Sequence, residues 1–600
     1  MRKFSSFIII SFLIIISSFV RFGEAFCYEE VTGEFHNLAV TVEFKDTEES
    51  DEIKSADDTS LAEVFNGESE GLKSYILKNS QSKLTVSTTF HTTVKINKNS
   101  RRYMPRYKLN DDYYEEINIY GYDNRNYTED GEVSVDGNLQ SAEYLYREHE
   151  FISLVAEQIK GVENIKDFDL DGDGYLDGLT VIPCSTVKLN MADESKWGNM
   201  FWPHMSSMYY GTTEGLNGYY YVGETDYDFK TAVISEKTVY KYVIAPFTAV
   251  TGGKESVSVI CHEFMHLLGA PDYYAYDGGE EYVGEFDIMG TSDSMALSLT
   301  YLRERMGWIG EGEILAVEES GDYFLNPTEE SGAGEVKAYK IVLSDYFETD
   351  DCYYIECRKL SGLDEGIIIY RVNEKNGFIT RADKYGTEEL GNMYKSPEVY
   401  IFRRQSSLKD LKKNAFLDDF LHKKFGSESG NKNLITNSNG ENTKITVEVT
   451  GKTGKGYNFR VTIPESPTGD ITGGATVETT TDLKGRDILT FENSYRKGYA
   501  YILITKKTLE GASGEDIISG KFGEAVKVPV SFQKYRLPKA NGTTNVYVCL
   551  SDGEKVSRIY TACYGLTPLK ISPTVIWAGA GLGFGLFIVI VLAVKFLKKG

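Results

Sequence analysis

The chain has 600 residues, with Lys+Arg 64 against Asp+Glu 89 and a formal charge of −25, a balance that excludes a general nucleic-acid binder, whose phosphate contacts need clustered cations. At 41% hydrophobic and 26% charged it is neither a disordered nor a fibrous sequence, and it is too long for a single core. Seven Cys do not make a disulfide scaffold, and 42 Tyr and 31 Phe against 13 Pro favour β-rich structure.

Arg2 and Lys3 precede an apolar run from Phe7 to Val20, and Gly23-Glu24-Ala25 supplies small residues for cleavage. Residues 1–25 therefore read as a secretory signal peptide, cut after Ala25. A first strand is expected over Leu38 to Phe44, and helical spacing appears over Ala142 to Ile159. Next comes Asp169-Leu170-Asp171-Gly172-Asp173-Gly174-Tyr175-Leu176-Asp177, ahead of a buried strand candidate from Leu179 to Pro183. Asp169, Asp171, Asp173 and Asp177 stand at positions 1, 3, 5 and 9 of a calcium loop, and the Tyr175 carbonyl would serve at position 7. Thr180 occupies position 12 instead of a bidentate Glu, so half of an EF-hand signature is present and no helix pair is implied. The other reading is an acidic solvated turn. Four carboxylates so spaced repel without a cation, which favours structural Ca²⁺.

A second helix is expected over Ser256 to Leu268, and it carries His262, Glu263 and His266. Residues four apart leave one face of a helix, roughly 6 Å apart along its axis, so two imidazoles can share one zinc. Glu263 lies beside the metal and can pass a proton from the attacking water to a leaving amine. Gly269 suits a left-handed helix end and Pro271 stops the helix resuming, which brings Asp272 back as third ligand. Glu285 and Asp287 compete for that place. The pattern is H-E-x-x-H-x-x-G-x-x-D, a metzincin-like arrangement with Asp where His is commoner. His204, beside Trp202, is either a carbonyl-polarising group or a packed structural residue, and Cys27 is a remote candidate to cap the zinc.

Short strands dominate the rest: Ala338 to Leu343, Tyr353 to Cys357 and Ile367 to Val372, with a helical insert near Leu408 to Phe425. Pro464-Glu465-Ser466-Pro467-Thr468-Gly469 reads as a linker, and strands such as Tyr499 to Ile504 and Asn545 to Leu550 follow it. Cys549 with Cys563, and Cys352 with Cys357, are candidate bridges. Val575 to Val594 is an uncharged run long enough to span a bilayer, with Lys595, Lys598 and Lys599 behind it on the cytoplasmic side. Gly579 with Gly583, and Gly581 with Gly585, have the spacing of a transmembrane-helix dimer.

Several segments raise the pattern to a family resemblance. Phe286-Asp287-Ile288-Met289-Gly290 resembles the Met-turn of metzincins, with Met289 at its centre. Ala296 to Ile309, Pro271-Asp272-Tyr273-Tyr274, Phe201-Trp202-Pro203-His204, Leu38 to Phe44 and Leu72 to Ser80 are similar to landmarks of the immune inhibitor A-like secreted zinc metallopeptidases. The resemblance covers about residues 34–315 and, more loosely, Tyr353 to Val372. Met265 stands where that family usually has Gly, and Cys261 where it has a small or aliphatic residue.

It implies an α+β zincin/metzincin-like catalytic domain and says little about Ala475 onward; the strand patterns add β-rich, sandwich-like domains, and the uncharged run a single C-terminal transmembrane helix. The expected divisions are signal peptide 1–25, catalytic domain 26–315, β-rich domain 316–465, a second β-rich, Ig-like module 466–570, transmembrane helix 574–597 and cytoplasmic tail 598–600. The expected activity is zinc endopeptidase action on protein or peptide substrates, at a bacterial cell surface with the catalytic domain outside. The competing reading is a cell-surface binding or adhesion protein on a protease scaffold; an intact Glu263 argues against it.

Overall fold

A computed structural model describes residues 31–565, except 48–58, 111–112, 117, 128–132, 135–139, 185–200, 209–218, 221–230, 252–253, 275–280, 292–294, 343–349, 361–363, 381–386, 390–396, 405–410, 421, 427–432, 465–474, 482–486, 493–497, 510 and 541. The chain forms two compact units, residues 1–465 and 466–600.

The first unit opens with a five-stranded sheet built from β1 (Gly33–Glu43), β2 (Leu84–Lys95), β3 (Leu179–Cys184), β4 (His204–Ser207) and β5 (Lys241–Ile244), in the order β4-β5-β3-β1-β2. All neighbours are parallel except β4, which runs antiparallel to β5 at the edge. The continuous apolar run of β1 follows from burial on both faces. On one face Leu38, Val40 and Val42 join Phe151, Ile152 and Val155 of α2 (Ala142–Gln158), after α1 (Leu72–Asn79) in chain order. Residues of opposite parity face the other side, where Phe35 meets Phe264 of α3 (Lys254–Leu267) edge to face, ring centroids 5.3 Å apart.

Beyond the short helix α4 (Thr300–Arg305), the same unit continues as two sheets over one core. One has the order β6 (Ile314–Ala316), β8 (Ala338–Val342), β9 (Cys352–Lys359), β10 (Glu365–Val372) and β11 (Val399–Ile401). The other joins β7 (Gly321–Leu325), β14 (Gly456–Thr462), β13 (Thr446–Thr453) and β12 (Lys424–Phe425). Ile355, Ile367 and Ile369 from the first sheet share that core with Val447, Phe459 and Val461 from the second. In the second unit, two further sheets, of three and four strands, enclose a core that includes Phe491, Ile502 and Val548.

Three expectations are corrected. The described residues are mostly β-sheet with few helices, not an α+β domain carried on a membrane helix. No helix among them is long and apolar enough to cross a membrane. The longest, α2, has 17 residues and carries Glu143, Arg147, Glu148 and Glu150, whereas a span needs about 20 mostly apolar residues. The placement as a single-pass surface protein falls with it. The runs at 1–25, 574–597 and 598–600, and Cys27, lie outside the described residues.

Among the described residues of the helical insert expected near Leu408 to Phe425, only Leu411–Ala415 is helical; 408–410 and 421 lie outside them. Leu417 bridges to Ile367, and Asp418 Oδ1 accepts from the Phe420 and His422 amides at 2.8 and 3.0 Å. That local turn competes with a helix for the same backbone donors. Finally, the six described cysteines, Cys352, Cys357, Cys549 and Cys563 among them, are free thiols. Cys352 and Cys357 lie on one strand, and Cys563 pairs with Asn545 rather than with Cys549.

Candidate metal centre

Helix α3 ends in a Schellman turn. The Gly269 amide donates to His266 O and the Ala270 amide to Met265 O, both at 2.8 Å. Gly269 has φ +100°, a conformation that strains any residue with a Cβ. The reversal places Ala270 O 2.7 Å from His266 Nδ1 and returns Asp272 to the helix face. His262 Nδ1 meets Ile288 O at 2.8 Å. Carbonyl oxygens only accept, so each Nδ1 carries the proton and each Nε2 turns a lone pair inward. The two rings stand perpendicular, 4.8 Å between centroids.

Both Nε2 atoms converge on Asp272 Oδ1, at 3.3 Å from His262 and 3.1 Å from His266. All three residues are mostly buried, and they form a group able to hold a metal ion. Two ring nitrogens and a carboxylate oxygen facing one point suit a shared cation, a metal ion or protons on the rings. Burial would lower the His266 pKa, but the Asp272 carboxylate outweighs it and lifts it to about 9; His262 moves the same way. The imidazoles in turn hold Asp272 well below the usual carboxylate range, against burial. Zn–N and Zn–O bonds of about 2.0–2.1 Å in a tetrahedron put neighbouring ligand atoms about 3.3 Å apart, so the spacing fits such an ion.

Glu263 is buried beside His262, and its charge reaches His262, His266 and His204. Of the competing carboxylates, Glu285 is exposed, and Asp287 has both oxygens engaged by the Met289 and Leu299 amides at 2.9 and 2.8 Å. Burial pushes the Asp287 carboxyl up to about 6. Met289 is fully buried, and its carbonyl accepts from Tyr273 at 2.7 Å. Tyr274 stacks on His262, 6.1 Å between centroids.

His204 starts the edge strand β4, which packs against α3. Its Nδ1 donates to Trp202 O at 2.6 Å, and its Nε2 lies 3.5 Å from Glu148 Oε2. Burial works against the charged ring, but Glu148 raises its pKa to about 9; Glu148, despite burial, falls to about 2 through the His204 charge and hydrogen bond and the Tyr242 hydroxyl. His204 and Glu148 thus face each other at ion-pair distance.

Asp169, Asp171 and Asp173 form the second group able to hold a cation. Asp169 is buried, and its Oδ2 accepts from the Gly174 amide at 3.2 Å and from Lys237 Nζ, while its buried Oδ1 has no hydrogen-bond partner. Asp171 accepts from the Asp173 amide at 3.1 Å, and Asp173 from the Tyr175 amide at 2.7 Å. Asp177 is outside that trio; its Oδ2 accepts from the Leu170 amide at 2.6 Å, and burial first, then neighbouring carboxylates, raise its pKa to about 6. Tyr175 opens a short strand paired with Thr238.

Sequence reasoning missed Glu148, the Ala270 and Ile288 carbonyls, and the engagement of Asp287. Only the Ala270 carbonyl had a local signal, in the Gly269 turn. No family model matches this chain, and no curated protein does.

Proposed function

We propose that this chain is a zinc-dependent endopeptidase acting on protein or peptide substrates. The observation that carries the reading is the convergence of His262 Nε2, His266 Nε2 and Asp272 Oδ1, with both histidine tautomers fixed by carbonyls. Two nitrogens and one carboxylate oxygen suit zinc, and three protein ligands leave a fourth position open for chemistry. The resemblance to immune inhibitor A-like metallopeptidases points the same way.

Bound zinc would supply Lewis acidity toward a peptide carbonyl and toward water. Glu263 accepts the proton of the attacking water and delivers it to the leaving nitrogen. Edge strand β4 offers main-chain donors and acceptors beside α3, which suits an extended peptide laid along it. Asp169, Asp171 and Asp173 would hold a structural Ca²⁺, supported by the partnerless buried oxygen of Asp169.

The test pairs metal content with hydrolysis of an unfolded, fluorescently labelled protein, for the wild type and Glu263→Gln. The wild type should hold one zinc and cleave, and the variant should keep its zinc with turnover lowered at least about 100-fold. Undiminished turnover in Glu263→Gln sinks the assignment.

A further inference from the structure

The turn at residues 287–290 braces two ligand-bearing segments. The Ile288 carbonyl holds His262 Nδ1 at 2.8 Å. The Met289 carbonyl holds the Tyr273 amide at 2.7 Å, one residue past Asp272. The turn itself is held by Asp287, whose carboxylate bonds the Met289 and Leu299 amides. The segment containing Leu299 is fixed in turn from the two-sheet layer. Arg358 Nη2, from β9, donates to Leu297 O at 2.7 Å while its Nε donates to Glu329 at 2.6 Å. Glu356, two residues earlier on the same strand face, accepts from the Thr300 amide at 3.1 Å and the Tyr370 hydroxyl at 3.0 Å.

Asp287, Glu356 and Arg358 are fully buried. Apolar side chains of similar volume would join the two layers at no desolvation cost. These charges differ in being directional, since each bonds backbone atoms of the 287–300 stretch rather than merely filling space. The line of contacts runs without a break from β9 through Leu297 to Thr300, to Asp287, to Ile288 and Met289, and so to His262 and the neighbour of Asp272.

We propose that Asp287, Glu356 and Arg358 are positioning residues of the metal centre, through which the two-sheet layer sets the orientation of His262 and the placement of Asp272. The inference rests on the zinc reading above. It makes the layer from Ile314 to Ile463 part of the machinery rather than a separable module.

The test uses the full chain loaded with Co²⁺, whose visible absorption reports ligand geometry without any turnover. Asp287→Asn replaces one acceptor by a donor facing a backbone amide, and Arg358→Lys keeps the charge but loses the fork. Both should load with an altered band shape and with metal affinity about 10–100-fold weaker in chelator competition. Arg460→Gln, which breaks the exposed Asp322–Arg460 pair on the same layer, should change neither. If Asp287→Asn does not fold, Arg358→Lys decides. Variants that melt earlier but keep the wild-type spectrum and affinity overturn the inference and leave the zinc reading standing. A wild type that takes up no cobalt removes both.

Discussion

His262 Nδ1 and the Ile288 carbonyl oxygen, 26 residues apart in the chain, lie 2.8 Å from each other, and this bond decides which nitrogen of the ring faces the metal position. With His266 and Ala270 O it makes a pair of preset donors, so assembling the site requires only that Asp272 return to the helix face.

On the zinc reading proposed above, that return supplies Asp272 as the third ligand. Asp272→Asn should weaken metal binding by at least about tenfold in chelator competition, while exposed Glu285→Gln leaves it unchanged. Gly269→Ala, forced into φ +100°, should destabilise by about 1–2 kcal/mol and weaken metal binding as well. If Glu285→Gln strips the metal instead, the ligand assignment is wrong.

Calcium should stabilise the folded chain, because the Asp169 trio is assembled only on folding. At a hundredfold excess over Kd the gain is about 2.7 kcal/mol, read as a higher Tm in calcium than in a calcium-selective chelator. Asp169→Asn should abolish the difference. Equal melting of the wild type in both solutions rejects the site.

The His204–Glu148 pair predicts a pH window. The His204 pKa rises from 6.5 to about 9 on folding, so its contribution is full below pH 6.5 and is lost as pH climbs through about 9. The Glu148 pKa falls from 4.5 to about 2, so its contribution is full above pH 4.5 and is lost as pH drops through about 2. The Tm gap between wild type and the His204→Gln/Glu148→Gln double variant should therefore be widest between pH 4.5 and 6.5. A gap that is flat from pH 4 to 9 contradicts the pairing.

Arg305 Nη1 and Glu398 Oε1 form a buried pair at 2.7 Å between α4 and the two-sheet layer. Glu398→Ala leaves the guanidinium in the interior without its carboxylate and should cost about 3–5 kcal/mol in urea unfolding. Glu398→Gln, which keeps an acceptor for the Tyr301 hydroxyl, should cost less. A loss below about 1 kcal/mol for the alanine variant would place Arg305 in water.

Much of the metal site is legible in sequence because it is local. Helical spacing alone puts His262 and His266 on one face, and Gly269 announces the turn that carries Asp272. Asp287 shows the limit. As a carboxylate near the histidine helix it competes with Asp272 in the sequence, yet its oxygens are taken by amides, one of them Leu299, 12 residues on. Arg358 and Glu356 act on the stretch around Leu297 and Thr300 across 61 and 56 residues, and no periodicity encodes such a pairing. Strand positions such as Ile367 to Val372 were plain from β-branched runs, but the antiparallel direction of β4 depends on residues far away. The insert at Leu408 to Phe425 has helical composition, and the side chain of Asp418 turns the chain before a helix can extend.

The order of strands has a consequence in time. Leu38 of β1 pairs on one side with Thr89 of β2 and on the other with Leu179 of β3. At about 5–20 residues per second of synthesis, the β3 partner leaves the ribosome about 7–28 seconds after β1. Once β2 has followed, 51 residues after β1, the nascent β1–β2 ribbon exposes one full row of backbone donors and acceptors until β3 arrives. The strand with partners on both sides is thus also one that waits beside an open edge until residues 141 positions further along the chain have been made.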